Sequence, residues 1–434
     1  MGKRVIFLFS TLIFIVGVLI WQLPTILRAL PSRYVAAMPQ SLQAIGVRSH
    51  VEALPTAAMT ADTSALLLPT ATPKILPPPP TFVSVSATPN FIPTATPTPP
   101  PTPTPTLSPI PATARLNNLT HYFQEWNNCG PATLATALSY YGLQVQQGDV
   151  ASFLKPDPED RNVSPYEIVH YVEQQTAFKA VDRTNGDLDT LRRLVAAGFP
   201  VMVEVGLYPP GEYAWLDWFG HYLLVVAYED DSQQFWVYDS WLGTSEVPRE
   251  NAHDQGRIFS YADVDEMWRH FNRNYIVVYP PERTLEVTAI IGDDMNDTVM
   301  WQDALTQMQT ELQSEPDNAF LWFNLGTIYT AQEDFEAASI AFDKARAIGL
   351  PWRMLWYQFG PYEAYYQTQR YEEIILLADT TLQNRPYFEE SFYYKALAQI
   401  ALGQTEDAQR NLQQAINFNP NFTPAITTLA ELTN

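Results

Sequence analysis

The chain contains a single cysteine, Cys129, and its surroundings favour a reactive thiolate. Cys129 stands two residues before Pro131, and proline suits the first turn of a helix because the N–H that it lacks has no helical partner there. An apolar face follows, and Gly142 suits the helix end. Such a cysteine lies at the positive end of a helix, where free N–H groups favour a thiolate over a thiol. The alternative is a small buried apolar residue, the commonest state of a free cysteine.

A nucleophilic thiol also needs an imidazole to move its proton, a group to orient the imidazole and donors for the oxyanion. Among the histidines, His221 opens an apolar strand directly after a glycine. Asp239 ends the next predicted strand, and a hairpin would bring both residues to one edge of the sheet. Gln124, ahead of Cys129, can offer its side-chain amide to the oxyanion beside the Cys129 N–H. The alternative for each residue is a structural role: His221 as a buried or edge residue of the sheet, Asp239 as a turn residue and Gln124 as a polar loop residue.

The elements that must position these residues lie in residues 116–281, which we interpret as one domain. Ser164 and Glu167 form a capping box, and Asp187 caps another predicted helix. The predicted strands that follow begin at Phe199, Gly220, Phe235 and Tyr275. Helices first and mostly antiparallel strands afterwards are typical of an α+β fold.

Three segments of this region together resemble a known family. They are NCGPATL at 128–134, GH at 220–221 and YDS at 238–240, with Gln124 ahead of the first. Their order over residues 117–280 resembles the C39-like peptidases, a group of papain-like cysteine proteases. The best-known relatives cut leader peptides after paired glycines and are fused to a transporter. This chain has no GxxxxGK[ST] ATPase motif, so that substrate is not carried over.

The resemblance implies a role for each candidate residue. Cys129 would be the nucleophile, His221 the general base and acid, Asp239 the orienting residue and Gln124 the oxyanion donor. Peptidoglycan-cleaving thiol hydrolases also place a cysteine before Gly-His, but they usually show D-C-S-G where this chain has N-C-G-P.

Residues 298–434 have a helical pattern with an internal period. The unit from Ala319 reads W-x-x-L-G-x-x-Y and resembles the tetratricopeptide repeat. Residues 387–420 match well, residues 298–314 supply only a second helix, and Pro361 is expected to interrupt the first helix of the middle unit. The resemblance implies an all-α solenoid whose concave surface binds a protein or peptide partner. A purely structural role and a non-repetitive helical bundle are the alternatives.

The first 115 residues read as an anchor and a spacer. Val5 to Leu23 is mostly apolar and long enough to cross a bilayer, so residues 1–23 predict a single transmembrane signal anchor, with a cleaved signal peptide as the alternative. Residues 24–115 read as a juxtamembrane and Pro/Thr-rich disordered linker, because 16 of the 43 residues from 69 to 111 are proline. Together they predict a single-pass protein of the cell membrane with most of the chain on the extracytoplasmic side.

Charge and composition exclude several classes of function. The first 115 residues carry seven basic and two acidic side chains, and residues 116–434 carry 18 basic and 45 acidic ones. Such an acidic surface repels phosphate backbones, so we discount nucleic-acid binding. A lone cysteine forms no intramolecular disulfide. Without an H-E-x-x-H motif or paired cysteines, we expect neither a metal nor another cofactor.

The sequence therefore predicts a membrane-anchored, extracytoplasmic thiol peptidase that hydrolyses peptide bonds with a Cys129–His221–Asp239 triad. Its repeats would recruit a protein or peptide partner. The alternative is a non-catalytic, peptide-binding adaptor built on the same domains. A third hypothesis is acyl transfer or deamidation by the same three residues.

Overall fold

The computed structural model describes residues 53–57, 63–67, 109–208, 217–241 and 256–433, together with a few isolated positions between 17 and 42. The described residues form an antiparallel sheet with helices on both faces, followed in the chain by a stack of helices. The sheet and its helices hold the candidate site, and the stack packs against them.

The sheet has seven strands in the described part of the chain. They are β1 (Thr113–Arg115), β2 (Lys179–Arg183), β3 (Val201–Leu207), β4 (Phe219–Glu229), β5 (Gln234–Asp239), β6 (Arg257–Ser260) and β7 (Tyr275–Tyr279). Their order is β2-β7-β3-β4-β5-β6, and β1 pairs with the far end of β4. The last strand along the chain therefore lies inside the sheet, between β2 and β3.

The predicted hairpin between β4 and β5 is present. Its register puts Asp239 opposite Leu223, two residues from His221 on β4. Directly opposed residues share a face, and so do residues two apart on one strand. The side chains of His221 and Asp239 are therefore diagonal neighbours at the end of the hairpin.

Six helices cover the two faces of the sheet. On one face lie α1 (Cys129–Tyr140), α2 (Gln147–Leu154) and α3 (Pro165–Gln175), and on the other lie α4 (Leu188–Ala196), α5 (Tyr261–Trp268) and α6 (Thr284–Ile291). Every residue of α1 from Gly130 to Ser139 is buried, and the Thr133 hydroxyl donates to the Tyr222 carbonyl oxygen across 3.3 Å. The N-terminus of α1, and with it Cys129, is thus held firmly against β4.

The helical stack begins directly after α6. Its helices are α7 (Asp297–Ser314), α8 (Ala319–Ala331), α9 (Phe335–Ile348), α10 (Gly360–Gln367), α11 (Tyr371–Asn384), α12 (Glu389–Ala401), α13 (Thr405–Phe418) and α14 (Thr423–Thr433). The first helix of the middle unit is interrupted directly ahead of Pro361. A 3₁₀ turn at Met354–Trp356 comes first, and α10 begins only at Gly360, with the proline in its first turn, where its missing N–H has no partner to lose.

Close packing between α8 and α9 gives a testable consequence. A Cβ added to Gly326 would lie 2.6 Å from carbons of the Phe342 ring. We expect Gly326→Ala to destabilise the stack by about 1–2 kcal/mol, because overpacking costs about 1–3 kcal/mol and a helical glycine-to-alanine change returns up to about 1 kcal/mol. The urea midpoint of the stack should therefore fall.

Gly148→Ala in α2 is the matched control, since nothing lies within 4 Å of its added Cβ. That change should leave the midpoint unchanged or raise it slightly. Equal stability of the two variants would contradict the contact between Gly326 and Phe342.

The stack and the sheet domain share an interface of aromatic packing and ion pairs. Trp218 lies 5.9 Å from Phe271 and 5.6 Å from Phe320, measured between ring centroids, and belongs to the same apolar cluster as the helices of the stack. Arg269 donates to both carboxylate oxygens of Glu315 at 2.7 and 2.8 Å. The helical stack is therefore docked on the sheet domain near the start of β4.

Part of the predicted linker also contacts the stack. Leu54 and Leu66 are buried there, and the Leu54 N–H donates to the Leu350 carbonyl oxygen at 2.9 Å. The Arg346 side chain donates to the Pro55 carbonyl oxygen at 2.7 Å, and Gln309 donates to that of Leu66 at 2.8 Å. This short segment before the proline-rich stretch thus lies on α7 and α9.

The predicted fold class needs one correction. It joins an α+β domain and helical repeats, which are present, to a single N-terminal transmembrane helix. Within the part of the chain that the structure describes, no helix combines the length and the apolarity needed to cross a membrane. Most of Val5 to Leu23 lies outside the described residues. The extracytoplasmic location, which was inferred from that segment, stays a prediction.

Candidate active site

Cys129 is the first residue of α1, as its position before Pro131 predicts. Its side chain is half-buried, and it lines a small cavity together with His221. The next position is closely packed, since a Cβ on Gly130 would lie 3.3 Å from Val163 and 3.5 Å from the Tyr222 ring. The start of α1 therefore packs directly against β4.

His221 and Asp239 are in contact at the end of the β4–β5 hairpin. The His221 Nε2 atom lies 3.1 Å from the Asp239 Oδ1 atom, and both side chains are almost completely buried. With Nε2 directed at the carboxylate, Nδ1 is the ring nitrogen left to face Cys129. The arrangement fixes the imidazole between an acid and a thiol.

Two further donors hold the Asp239 carboxylate. The Trp241 backbone N–H donates to Oδ1 at 2.8 Å, and the Arg257 guanidinium donates to Oδ2 at 2.7 Å. Arg257 belongs to β6, the edge strand next to β5. Both partners favour the charged form of this fully buried carboxylate and so oppose the effect of burial.

The charges around Cys129 favour a thiolate. Burial raises the pKa of the thiol, but the hydrogen bond and charge of His221, with the backbone N–H groups of Tyr222 and Gly130, lower it overall. Burial likewise lowers the pKa of His221, and the charge and hydrogen bond of Asp239, then Cys129, outweigh burial and raise it to about 9. A lowered thiol pKa beside a raised imidazole pKa favours a thiolate–imidazolium pair over a neutral thiol and imidazole.

Gln124, the predicted oxyanion donor, lies at the same edge of the sheet. Its backbone N–H donates to the Ser240 carbonyl oxygen at 2.8 Å, and its side-chain oxygen accepts from the Ser240 hydroxyl at 3.0 Å. It does not line the cavity beside Cys129. The structure therefore brings Cys129, His221 and Asp239 together and puts Gln124 next to the residue after Asp239; its oxyanion role stays a prediction.

Glu204 is a site residue that the sequence analysis missed. Its side chain lines the cavity beside Cys129, and the residue is only 5% exposed. Burial, and then the charge of Cys129, raises the pKa of Glu204 well above its usual range, which favours the neutral form of this carboxyl. One signal could have found it, since Glu204 is the only charged residue in the strand VMVEVGL.

His121 and Tyr357 were also missed. The His121 Nε2 atom lies 3.0 Å from the Asp239 carbonyl oxygen, and the ring stacks on Tyr238 with 4.6 Å between centroids. Tyr357, from the segment between α9 and α10, lines the cavity with Cys129. His121 stands only eight residues before Cys129, so its position near the motif was an available signal, whereas Tyr357 is far from the triad in sequence and only the folded chain reveals it.

A metal was not expected. Among the residues that the structure describes, no three histidine, cysteine, aspartate or glutamate side chains are grouped to hold a metal ion. The predicted absence of a cofactor stays a prediction.

Comparison with known proteins bears on both parts of the chain. Residues 115–271 match the model of the Peptidase_C39 like family. The chain contains a C39-like peptidase domain. Residues 321–345, which cover most of α8 and the start and middle of α9, match a tetratricopeptide repeat. The domain and the repeat that the sequence predicts are thus both found.

Two individual proteins are similar over shorter or looser alignments. A subunit of Haemophilus influenzae, the formate-dependent nitrite reductase complex bifunctional subunit NrfFG, is 27% identical over 127 residues, which are 24% of this chain and 32% of that protein. This chain thus spans about a third of the length of that relative. The crystal structure of a C39-like peptidase from Bacillus anthracis is 15% identical, with a TM-score of 0.30, covering 38% of this chain and 96% of that one.

Proposed function

We propose that the C39-like domain is a cysteine peptidase in which Cys129, His221 and Asp239 carry out peptide hydrolysis. The observation that carries this proposal is the contact chain from the thiol through the imidazole to a fully buried carboxylate that is also bonded to Arg257. The three residues supply what peptide hydrolysis by a thiol needs: a thiolate, a proton carrier and an orienting anion.

The chemistry follows from the protonation states. The Cys129 thiolate attacks the scissile carbonyl carbon, and the π electron pair moves to the carbonyl oxygen. Collapse of the tetrahedral intermediate expels the amine, which takes a proton from the His221 imidazolium and leaves a thioester on Cys129. The neutral imidazole then takes a proton from water as the water attacks the thioester, and the thiolate departs with His221 protonated again. Asp239 keeps the ring oriented through both proton transfers.

The helix N-terminus can also stabilise the oxyanion. The Cys129 backbone N–H belongs to the unpaired first turn of α1, where the helix dipole is positive. In this proposal it is one donor to the oxyanion, and Gln124 is the candidate for the second.

The pH dependence of Cys129 alkylation tests the thiolate–imidazolium pair. With iodoacetamide at pH 6.5, we expect the full chain to react roughly 10- to 100-fold faster than its His221→Ala variant. The reason is that removal of the histidine takes away the hydrogen bond and the charge that chiefly oppose the effect of burial, so the pKa of the thiol rises.

His170→Ala is the matched control, because His170 is an exposed histidine on α3. It should alkylate as the unchanged chain does at every pH. The proposal would be contradicted if the alkylation rate of Cys129 were low, rose only near the ordinary thiol pKa and were the same in His221→Ala.

One observation favours the adaptor as a second candidate function. The cavity beside Cys129 has a volume of about 10 Å³, which is room for about one water molecule and not for a peptide. A domain that only binds peptide on its outer surface has no need of an open cleft. Partner capture that survives Cys129→Ala unchanged, without any peptide cleavage by the unchanged chain, would favour this candidate.

The repeats point to a protein–protein interaction. We propose that the helical stack recruits a protein or peptide to the peptidase domain. The stack is docked beside the start of β4, so a partner bound to it is held near the strand that carries His221.

A further inference from the structure

The segment that joins α9 to α10 lies against the candidate active site. Residues 351–359 depart from the repeat pattern and form a 3₁₀ turn at Met354–Trp356 followed by Tyr357. The Tyr357 ring lies on Gly220, because a Cβ added to that glycine would lie 3.1 Å from two ring carbons. Gly220 directly precedes His221 on β4. An aromatic side chain of the stack is therefore a wall of the peptidase cleft.

The same ring limits the space beside the nucleophile. Tyr357 lines the cavity into which Cys129 and His221 open. That cavity, about 10 Å³ in volume, holds about one water molecule. A peptide that is to be attacked at its carbonyl carbon must place several backbone atoms within about 3.5 Å of the thiol. The Tyr357 ring, which lies on Gly220, narrows the space that such a peptide needs beside the thiol.

Aromatic packing and hydrogen bonds to backbone groups hold the segment in this position. The Arg353 guanidinium donates to the Trp218 carbonyl oxygen at 3.1 Å, and the Trp218 and Tyr357 rings meet edge to face at 5.9 Å. At the near end of the segment, Leu54 of the N-terminal stretch donates to Leu350. The position of Tyr357 thus depends on contacts within one chain.

A cationic side chain of the peptidase domain also contacts the segment. The Arg161 guanidinium lies 5.3 Å from the Trp126 ring centroid and 5.2 Å from that of Trp356. Both are cation–π contacts, and the second joins the peptidase domain to the 3₁₀ turn that precedes Tyr357.

We propose that Tyr357 is a size-selecting residue of the Cys129 cleft, admitting small groups to the thiol and excluding larger ones until residues 351–359 withdraw. The proposal deepens the proposed function, since it names what limits the substrate. The closure itself does not depend on whether Cys129 hydrolyses peptides.

Two alkylating reagents with the same reactive group and different bulk test the proposal on the full chain. They are iodoacetamide and N-(1-pyrenyl)iodoacetamide, and the readout is the ratio of their rate constants at pH 7. If the open form is a minor state of about 0.1–10%, Tyr357→Ala should raise the ratio of large to small reagent at least about tenfold. Tyr357→Leu should raise it too and disturbs the packing less.

Two variants serve as controls. Tyr357→Phe keeps the ring and should keep the ratio of the unchanged chain, and Tyr366→Ala removes a half-buried tyrosine of α10 that does not line the cavity. An unchanged ratio in both Tyr357→Ala and Tyr357→Leu, with native circular dichroism, would overturn the proposal. Failure of the proposed function would give a different result. Both reagents would react slowly, and His221→Ala would not change their rates, while replacing Tyr357 would still change the ratio of the two rates.

Discussion

Replacing Cys129 with alanine is expected to lower peptide hydrolysis by this chain by at least about 10⁴-fold, to the level left by binding and oxyanion donors alone. The reason is that Cys129 is the only cysteine in the chain, so no other thiol can form the thioester. The measurement is cleavage of a peptide mixture by the full chain in H₂¹⁸O, followed by mass spectrometry. Hydrolysis places one ¹⁸O in each new carboxyl group, because the water that attacks the thioester supplies that oxygen.

The isotope separates the competing chemistries that share the triad. Acyl transfer gives a product joined to an added amine and containing no ¹⁸O. Deamidation releases ammonia and leaves the peptide bond intact. Cleavage that Cys129→Ala retains would contradict the role of the thiol, and its retention in His221→Ala would contradict the role of the imidazole. His170→Ala, which changes an exposed histidine, serves again as the control.

The parts of the site that the sequence predicted depend on local patterns. A proline two residues after Cys129 predicts the helix start, and α1 begins at Cys129 itself. Two apolar strands joined by a short polar loop predict a hairpin, and the observed register brings His221 and Asp239 within 3.1 Å. Both signals concern residues close in sequence, where backbone preference and periodicity decide the structure.

The parts that the sequence did not predict depend on contacts between distant residues. β7 is buried along its whole length and lies between β2 and β3, and no local sequence pattern indicates which strands are its neighbours. Tyr357 lies 137 positions after Gly220 in the chain. It reaches the cleft only because the helical stack docks on the start of β4, where Gly220 lies. Arg257, which holds Asp239, lies on a strand that the sequence analysis did not predict. Pairing and docking are set by the whole folded chain.

Replacing Asp239 with asparagine is expected to change both the reactivity of the thiol and the stability of the domain. The charge of Asp239 is the largest influence that raises the pKa of His221, to about 9, against burial. Without that charge, burial lowers this pKa, the imidazolium is lost, and the pKa of the Cys129 thiol rises. The pH midpoint of Cys129 alkylation should therefore shift upward by about 1–2 units. Asparagine can still accept the His221 hydrogen bond, so the ring orientation is largely kept.

The same change removes the partner of Arg257, whose side chain is 15% exposed and bonded to the fully buried carboxylate. Breaking a buried ion pair costs about 3–5 kcal/mol, and the partial exposure of Arg257 puts the expected loss near 3 kcal/mol. Asp343→Asn is the matched control, since Asp343 is 4% exposed and pairs with Arg370 at 2.7 Å in the helical stack. It should cost comparable stability and leave alkylation unchanged. If Asp239→Asn lowered the stability but left the alkylation midpoint where it is, Asp239 would be only a structural partner of Arg257. The histidine would then act on the thiol without an orienting charge.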